Sequence, residues 1–167
     1  EAVAVQLGDA VLEYSVNGNI TKPAGNRHPR IAPHSMYPAA GDDWVAIAAE
    51  TEPQWQALAT LVGIDATGFG DMAARKSREA ELDALIAAWT RDQDATRLEG
   101  LLTSHGIVAA RVRPFLDIYR QPDPDLLSRG YLQQVTHPET GAHYMPTLPW
   151  RLHRTPAPEV RYSPCFG

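Results

Sequence analysis

The sequence predicts an α+β fold: a small sheet with a β-hairpin packed by several helices, plus an N-terminal helix and an extended C-terminal return segment. Three observations lead there. Short apolar runs at residues 35–38 and 44–49 flank an Ala-Ala-Gly-Asp-Asp turn, which signals a hairpin. Apolar residues recur at helical spacing between residues 51 and 105. From Pro122 onward prolines recur and the periodic apolar surface runs out.

Taken in order, residues 1–16 form the first helix, with Val3, Leu7, Ala10, Val11 and Tyr14 on one face. Asn17-Gly18-Asn19 ends it, since Gly and Asn tolerate a left-handed cap. No capping residue precedes Glu1, so the chain is expected to be the C-terminal part of a longer protein. Residues 18–34 are rich in Gly, Pro and Asn and are expected to be extended. Pro38 keeps the first strand short, because it has no amide hydrogen for a ladder. Asp42 and Asp43 are read as turn formers.

Thr51-Glu52-Pro53-Gln54 is a capping-box signature, followed by a stripe of Trp55, Leu58, Ala59 and Val62. A second helix places Leu82, Leu85, Ile86 and Trp89 on one face. A third places Leu98, Leu101, Leu102 and His105, with Gly106 as its cap and a strand over 107–112 behind it. Trp44, Trp55 and Trp89 are expected in the core. The return segment carries a hairpin expected at residues 137–143. The organisation read from this is a helix at 1–18, a small α+β domain at 19–115, and a return segment at 116–167.

Apolar residues at 44% and charged residues at 21% suit a globular chain. A net charge of −5 without basic clusters leaves no footprint for nucleic acid. No apolar run is long enough to span a bilayer, so no membrane partner is expected. One cysteine, Cys165, excludes an internal disulfide and suits a reducing, cytoplasmic location. His28, His34, His137 and His143 lack a cysteine at ligand spacing, and no metal site is expected.

The stretch from Gly25 to Leu58 reads GNRHPRIAPHSMYPAAGDDWVAIAAETEPQWQAL. Beyond it come Phe69, Arg75 and Leu82, then Gly106-Ile107-Val108-Ala109-Ala110, then Asp123-Pro124 and Arg129-Gly130. Val135-Thr136-His137-Pro138-Glu139-Thr140-Gly141 and Pro164-Cys165-Phe166-Gly167 complete the set. In this order the motifs resemble the small domain of the family III CoA-transferases. That group includes carnitine CoA-transferase, bile-acid CoA-transferase, formyl-CoA transferase and α-methylacyl-CoA racemase. One departure stands out: the glycine run of formyl-CoA transferases is replaced by Arg27-His28-Pro29-Arg30-Ile31, which argues against an oxalate or formate substrate.

The resemblance implies a chemistry. An aspartate carboxylate attacks an acyl-CoA thioester and releases CoA thiolate, leaving a mixed anhydride. The thiolate re-attacks to give an aspartyl-CoA thioester, and the acceptor acid collects the CoA. No residue of this chain matches that aspartate, so the nucleophile is expected outside it, no catalytic residue is assigned, and the chain alone is expected to be inactive. The loop from Gly25 to Tyr37 is expected to wall the acyl site. In it Asn26 and His28 are candidates to bond an acyl carbonyl or an acceptor carboxylate. Arg27 or Arg30 would pair with a carboxylate, and Tyr37 would line the acyl pocket. The implied partners are an acyl-CoA, a carboxylic acid acceptor, a large N-terminal domain and a second copy in an interlocked homodimer. No prosthetic group is implied, the CoA thioester being a substrate. Two alternatives stay open: part of an α-methylacyl-CoA racemase, or a non-catalytic module that binds acyl-CoA or a partner.

Overall fold

Three short antiparallel strands frame the first unit: β1 (His34–Pro38), β2 (Trp44–Ala48) and β3 (Val108–Arg111), in the order β1-β2-β3. In this computed structural model the described residues are 5–150, 152–156 and 160–165. They fall into two compact units, Glu1–Val112 and Arg113–Gly167. The register sets Tyr37 opposite Val45 and Ile47 opposite Ala109. The β1–β2 connection is a 3-10 turn over Ala40–Asp42, with φ of 70° at Gly41 and 62° at Asp42. Both lie in the left-handed region, which Gly enters freely and Asp better than most residues. Asp43, read from sequence as a turn former, also binds Arg111 through Nε and Nη2 at 3.1 and 3.3 Å. It thereby ties the hairpin to β3.

Strand alternation gives the sheet two unlike faces. Tyr37, Val45 and Ile47 point into the core. His34, Met36, Trp44, Ala46, Ala48, Val108 and Ala110 lie at the alternate positions. Trp44 is 47% exposed and Val108 51%. Trp44 was expected in the core, and the structure corrects this: it shares its strand with Val45 and Ile47 but stands one residue out of phase.

Among the described residues the first unit includes the helices α1 (Gly8–Asn17), α2 (Glu52–Val62), α3 (Met72–Ser77), α4 (Glu79–Thr90) and α5 (Ala95–Ser104). The helix α2 starts as its sequence predicts, with Gln54 Oε1 accepting the amides of Glu50 and Thr51 at 2.9 and 3.1 Å. Asp71 and Asp94 accept amides of the first turns of α3 and α5. The core gathers Trp55 and Leu58 of α2, Leu82 and Ile86 of α4, and Leu98 and Leu102 of α5 on the inner face of the sheet. Trp89 packs half-buried against it. Leu85, expected on the buried face, is 41% exposed.

The helix α1 ends on Gly18, whose amide bonds Tyr14 O at 2.9 Å. None of its residues is buried, so the apolar face expected from Leu7, Val11 and Tyr14 is uncovered in this chain. Val3, the first of that face, lies outside the described residues.

The second unit holds α6 (Phe115–Arg120), α7 (Pro124–Ser128) and a hairpin of β4 (Leu132–His137) with β5 (Gly141–Pro146). The hairpin is longer than the sequence led us to expect. The helix α7 breaks a stretch read as extended. Its signal was present: Asp123 accepts the Asp125 amide at 2.8 Å, and Pro124 sits where a missing amide costs nothing.

Candidate functional site

The outer face of the three-stranded sheet forms the floor of a groove of about 470 Å³. Met36, Ala46, Ala48, Val108 and Ala110 make it apolar and shallow, because four of its positions along β2 and β3 carry only small or β-branched side chains. One wall is the loop Gly25–His28, with His34 beside it. An apolar floor with a few convergent polar groups is the usual make-up of a small-molecule site.

The polar groups have defined roles. His28 Nδ1 accepts the Arg30 amide at 3.1 Å, so in the neutral ring the proton sits on Nε2 and that nitrogen is a donor. His34 Nδ1 lies 2.8 Å from Asn26 O, which can only accept, so His34 Nε2 keeps its lone pair. The two rings lie 5.4 Å apart. The pair thus offers one donor and one acceptor side by side. The Asn26 side chain makes no hydrogen bond among the described residues, while its carbonyl orients His34.

Arg27 and Tyr37 meet on a residue that sequence reasoning missed. Asp83 of α4 accepts Arg27 Nε and Nη2 on Oδ2, at 3.2 and 2.9 Å, and the Tyr37 hydroxyl on Oδ1, at 2.8 Å. Arg27 is therefore paired with a carboxylate of its own chain, and this hydrogen bond to Asp83 raises its pKa. Tyr37 is turned to the core side of β1 and does not line the groove. Burial, followed by the charge and hydrogen bond of Asp83, pushes its phenol far above the ordinary value of 10.0. The side chain of Arg30 makes no hydrogen bond or ion pair among the described residues.

A second tether holds the same loop. Lys76 Nζ donates to His28 O at 2.8 Å and to Glu79 Oε2 at 2.7 Å. Glu79 is buried, and its other oxygen has no hydrogen-bond partner among the described residues. No short-range pattern points to Asp83 or Glu79, because Arg27 and Asp83 are 56 residues apart.

In the second unit His137, Glu139 and Cys165 bring ligand atoms within 4.8 Å of one another. His137 Nδ1 accepts the amides of Glu139 and Thr140 at 3.1 and 3.3 Å. The ring proton is therefore on Nε2, which faces Cys165 Sγ at 3.9 Å. A metal there would have to displace that proton and break both amide bonds. The ring is set as a donor to sulfur.

The sequence model for CoA-transferase family III matches residues 1–167. The chain is 30% identical to the succinyl-CoA–D-citramalate CoA-transferase of Chloroflexus aurantiacus, over 100% of this chain and 42% of that protein. It is 33% identical to the succinyl-CoA:mesaconate CoA-transferase of Haloarcula marismortui, over 77% of this chain and 32% of that one. It thus spans less than half the length of these relatives. In fold it is similar to a CAIB/BAIF family protein from Brucella suis, with a TM-score of 0.72 and 23% identity over 92% of this chain and 41% of that one. Rv3272 from Mycobacterium tuberculosis is similar with a TM-score of 0.64 and 22% identity, over 90% of this chain and 38% of that chain. Among the described residues no helix is long and apolar enough to cross a membrane.

Proposed function

The chain belongs to CoA-transferase family III, and from that premise we propose that it forms part of an enzyme moving CoA between carboxylic acids through an aspartyl intermediate. One observation carries the reading to a place: the Gly25–His28 segment, which carries the resemblance to the family, walls an apolar groove on the open face of the sheet. The aspartate nucleophile lies outside this chain. The chain contributes Asn26 and the His28 Nε2–H as donors toward the acyl carbonyl or the acceptor carboxylate, and Arg27 as the residue that fixes them. Tyr37 serves from the core through Asp83. The CoA thioester is a substrate, and the chemistry runs on carboxylates and a thioester without a prosthetic group. The protein works as a cytoplasmic homodimer of chains that include a large N-terminal domain, and this chain alone is inactive.

The relatives named above are CoA-transferases acting with succinyl-CoA, which favours transfer over racemisation and over a module without chemistry. The test is a panel of acyl-CoA donors with acceptor acids, given to the whole protein that carries this chain. The panel includes succinyl-CoA with dicarboxylates, beside carnitine and bile-acid donors. Transfer of CoA between two acids supports the reading. Exchange of an α-proton without transfer, or binding without turnover, overturns it.

A further inference from the structure

We propose that Asp83 is a positioning residue for the groove, holding the wall loop in its working conformation; this rests on the reading above. The geometry has three parts. First, the two oxygens of Asp83 are divided between a fixed side chain and a loop side chain. Oδ1 takes the hydroxyl of Tyr37, which is 2% exposed, and Oδ2 takes two donors of Arg27. A carboxylate gripped from the core side transmits the position of the core to the loop.

Second, Asp83 sits on α4 between Leu82 and Ile86, both fully buried, so the helix under it is locked by packing. Groups held on packed helices are placed more precisely than groups held on loops.

Third, the neighbouring carboxylate of Glu79 is one helical turn away on the same face. It holds Lys76, which holds the His28 carbonyl. Two consecutive residues, Arg27 and His28, are thus pinned from one helix corner, one by side chain and one by backbone. The charges balance, with two carboxylates and two cations. Arg27 is used up in this lattice. Asn26 and His28, on either side of Arg27, also line the groove, and their placement follows from how residues 27 and 28 are held.

The experiment uses the whole protein with the donor and acceptor of highest turnover, and compares Asp83→Ala, Asp83→Asn, Arg27→Ala and the Arg27→Ala/Asp83→Ala double variant. A group misplaced by about an ångström costs on the order of tenfold to a hundredfold in rate. The expected result is a fall of that size in kcat for Asp83→Ala, with KM changed less than about threefold. A group that sets geometry rather than affinity acts in this way. Because Asp83 acts through Arg27, the double variant falls no further than the worse single one. In parallel, hydrogen exchange of the amides at residues 26, 27, 28 and 30 speeds up in Asp83→Ala while the amides of α4 keep their protection.

Unchanged kcat, losses that multiply in the double variant, or unchanged exchange at 26–30 would each overturn the proposal. If Asp83→Ala does not fold, Asp83→Asn, which keeps the size and the Tyr37 acceptor, carries the same comparison. If the wild type transfers no CoA, the functional reading falls, and hydrogen exchange still decides whether Asp83 holds the loop.

Discussion

The guanidinium of Arg75 lies 5.1 Å from the centroid of the Trp55 ring, in the middle of the first unit. Arg75 is 1% exposed, yet each nitrogen of its fork has an acceptor. Nε donates to Ala32 O, Nη1 to Phe69 O and Gly70 O, and both Nη groups to Glu52 Oε2, at 3.1–3.3 Å. A buried cation is tolerated when it is paired and bonded in this way.

Arg75→Met is therefore expected to lower stability by about 2–4 kcal/mol, since it takes the donor from the buried Ala32 and Phe69 carbonyls. Arg75→Lys is not expected to restore it, because a point charge cannot reach partners arranged around a planar fork. Denaturant unfolding of both variants checks this. Wild-type stability for the Lys variant would refute it.

The two tryptophans on either side of the sheet separate core from groove. Trp55→Ala is expected to cost about 3–5 kcal/mol, the range for a buried Trp or Phe cut to Ala. Trp44→Ala in this chain is expected to cost less than about 1 kcal/mol, since half of its surface is exposed. Equal losses for the two would contradict the assignment of faces.

Tyr37 gives the structure an alkaline limit. Its folded pKa is raised above 10.0, first by burial and then by Asp83. The folded state therefore favours the protonated phenol. This stability is fully present below the unfolded value and is lost as pH rises above it toward the folded value. Wild-type stability should fall more steeply above about pH 10 than that of Tyr37→Phe, which has no phenol to ionise. Unfolding curves between pH 8 and about 11 decide it, and parallel profiles would remove Tyr37 as the cause.

On the function proposed above, His28 is the loop side chain that acts on the reaction itself. In the whole protein, His28→Ala is expected to lower kcat and kcat/KM together, by roughly tenfold to a hundredfold for the loss of one charge-facing donor. Stability should change by less than about 1 kcal/mol, since the half-buried ring gives up one hydrogen bond, to the Arg30 amide. Steady-state kinetics and thermal unfolding of the same variant check both halves. If turnover is untouched here and in Asn26→Ala, the loop merely connects two elements.

Much of this was legible in the sequence wherever the cause was local. Gln54 lies three residues from Thr51, and the cap forms as its spacing predicts. Gly106, with φ of 74°, ends α5 where the apolar stripe stops. The hairpin between β1 and β2 follows from the turn that joins them. The illegible part was the choice between faces and the long-range pairing. The run from Trp44 to Ala48 is apolar at every position, so alternation carried no signal, and Trp44 was placed on the wrong side. Arg27 and Tyr37 were visible as candidates, but the carboxylate that joins them sits on a distant helix beside other acidic residues. Nothing in local periodicity distinguishes Asp83 from Glu81.

Alanines make up most of the floor of the groove, and strand alternation keeps that floor apart from the core. Ala46, Ala48 and Ala110 face outward while Val45, Ile47 and Ala109 face inward on the same two strands. A bulkier residue at position 46 or 110 grows into the groove and displaces nothing behind the sheet. Bore and rigidity are thus separate dials. Outward side chains can be exchanged one at a time to widen or narrow the groove, while the side chains packed behind the sheet stay as they are.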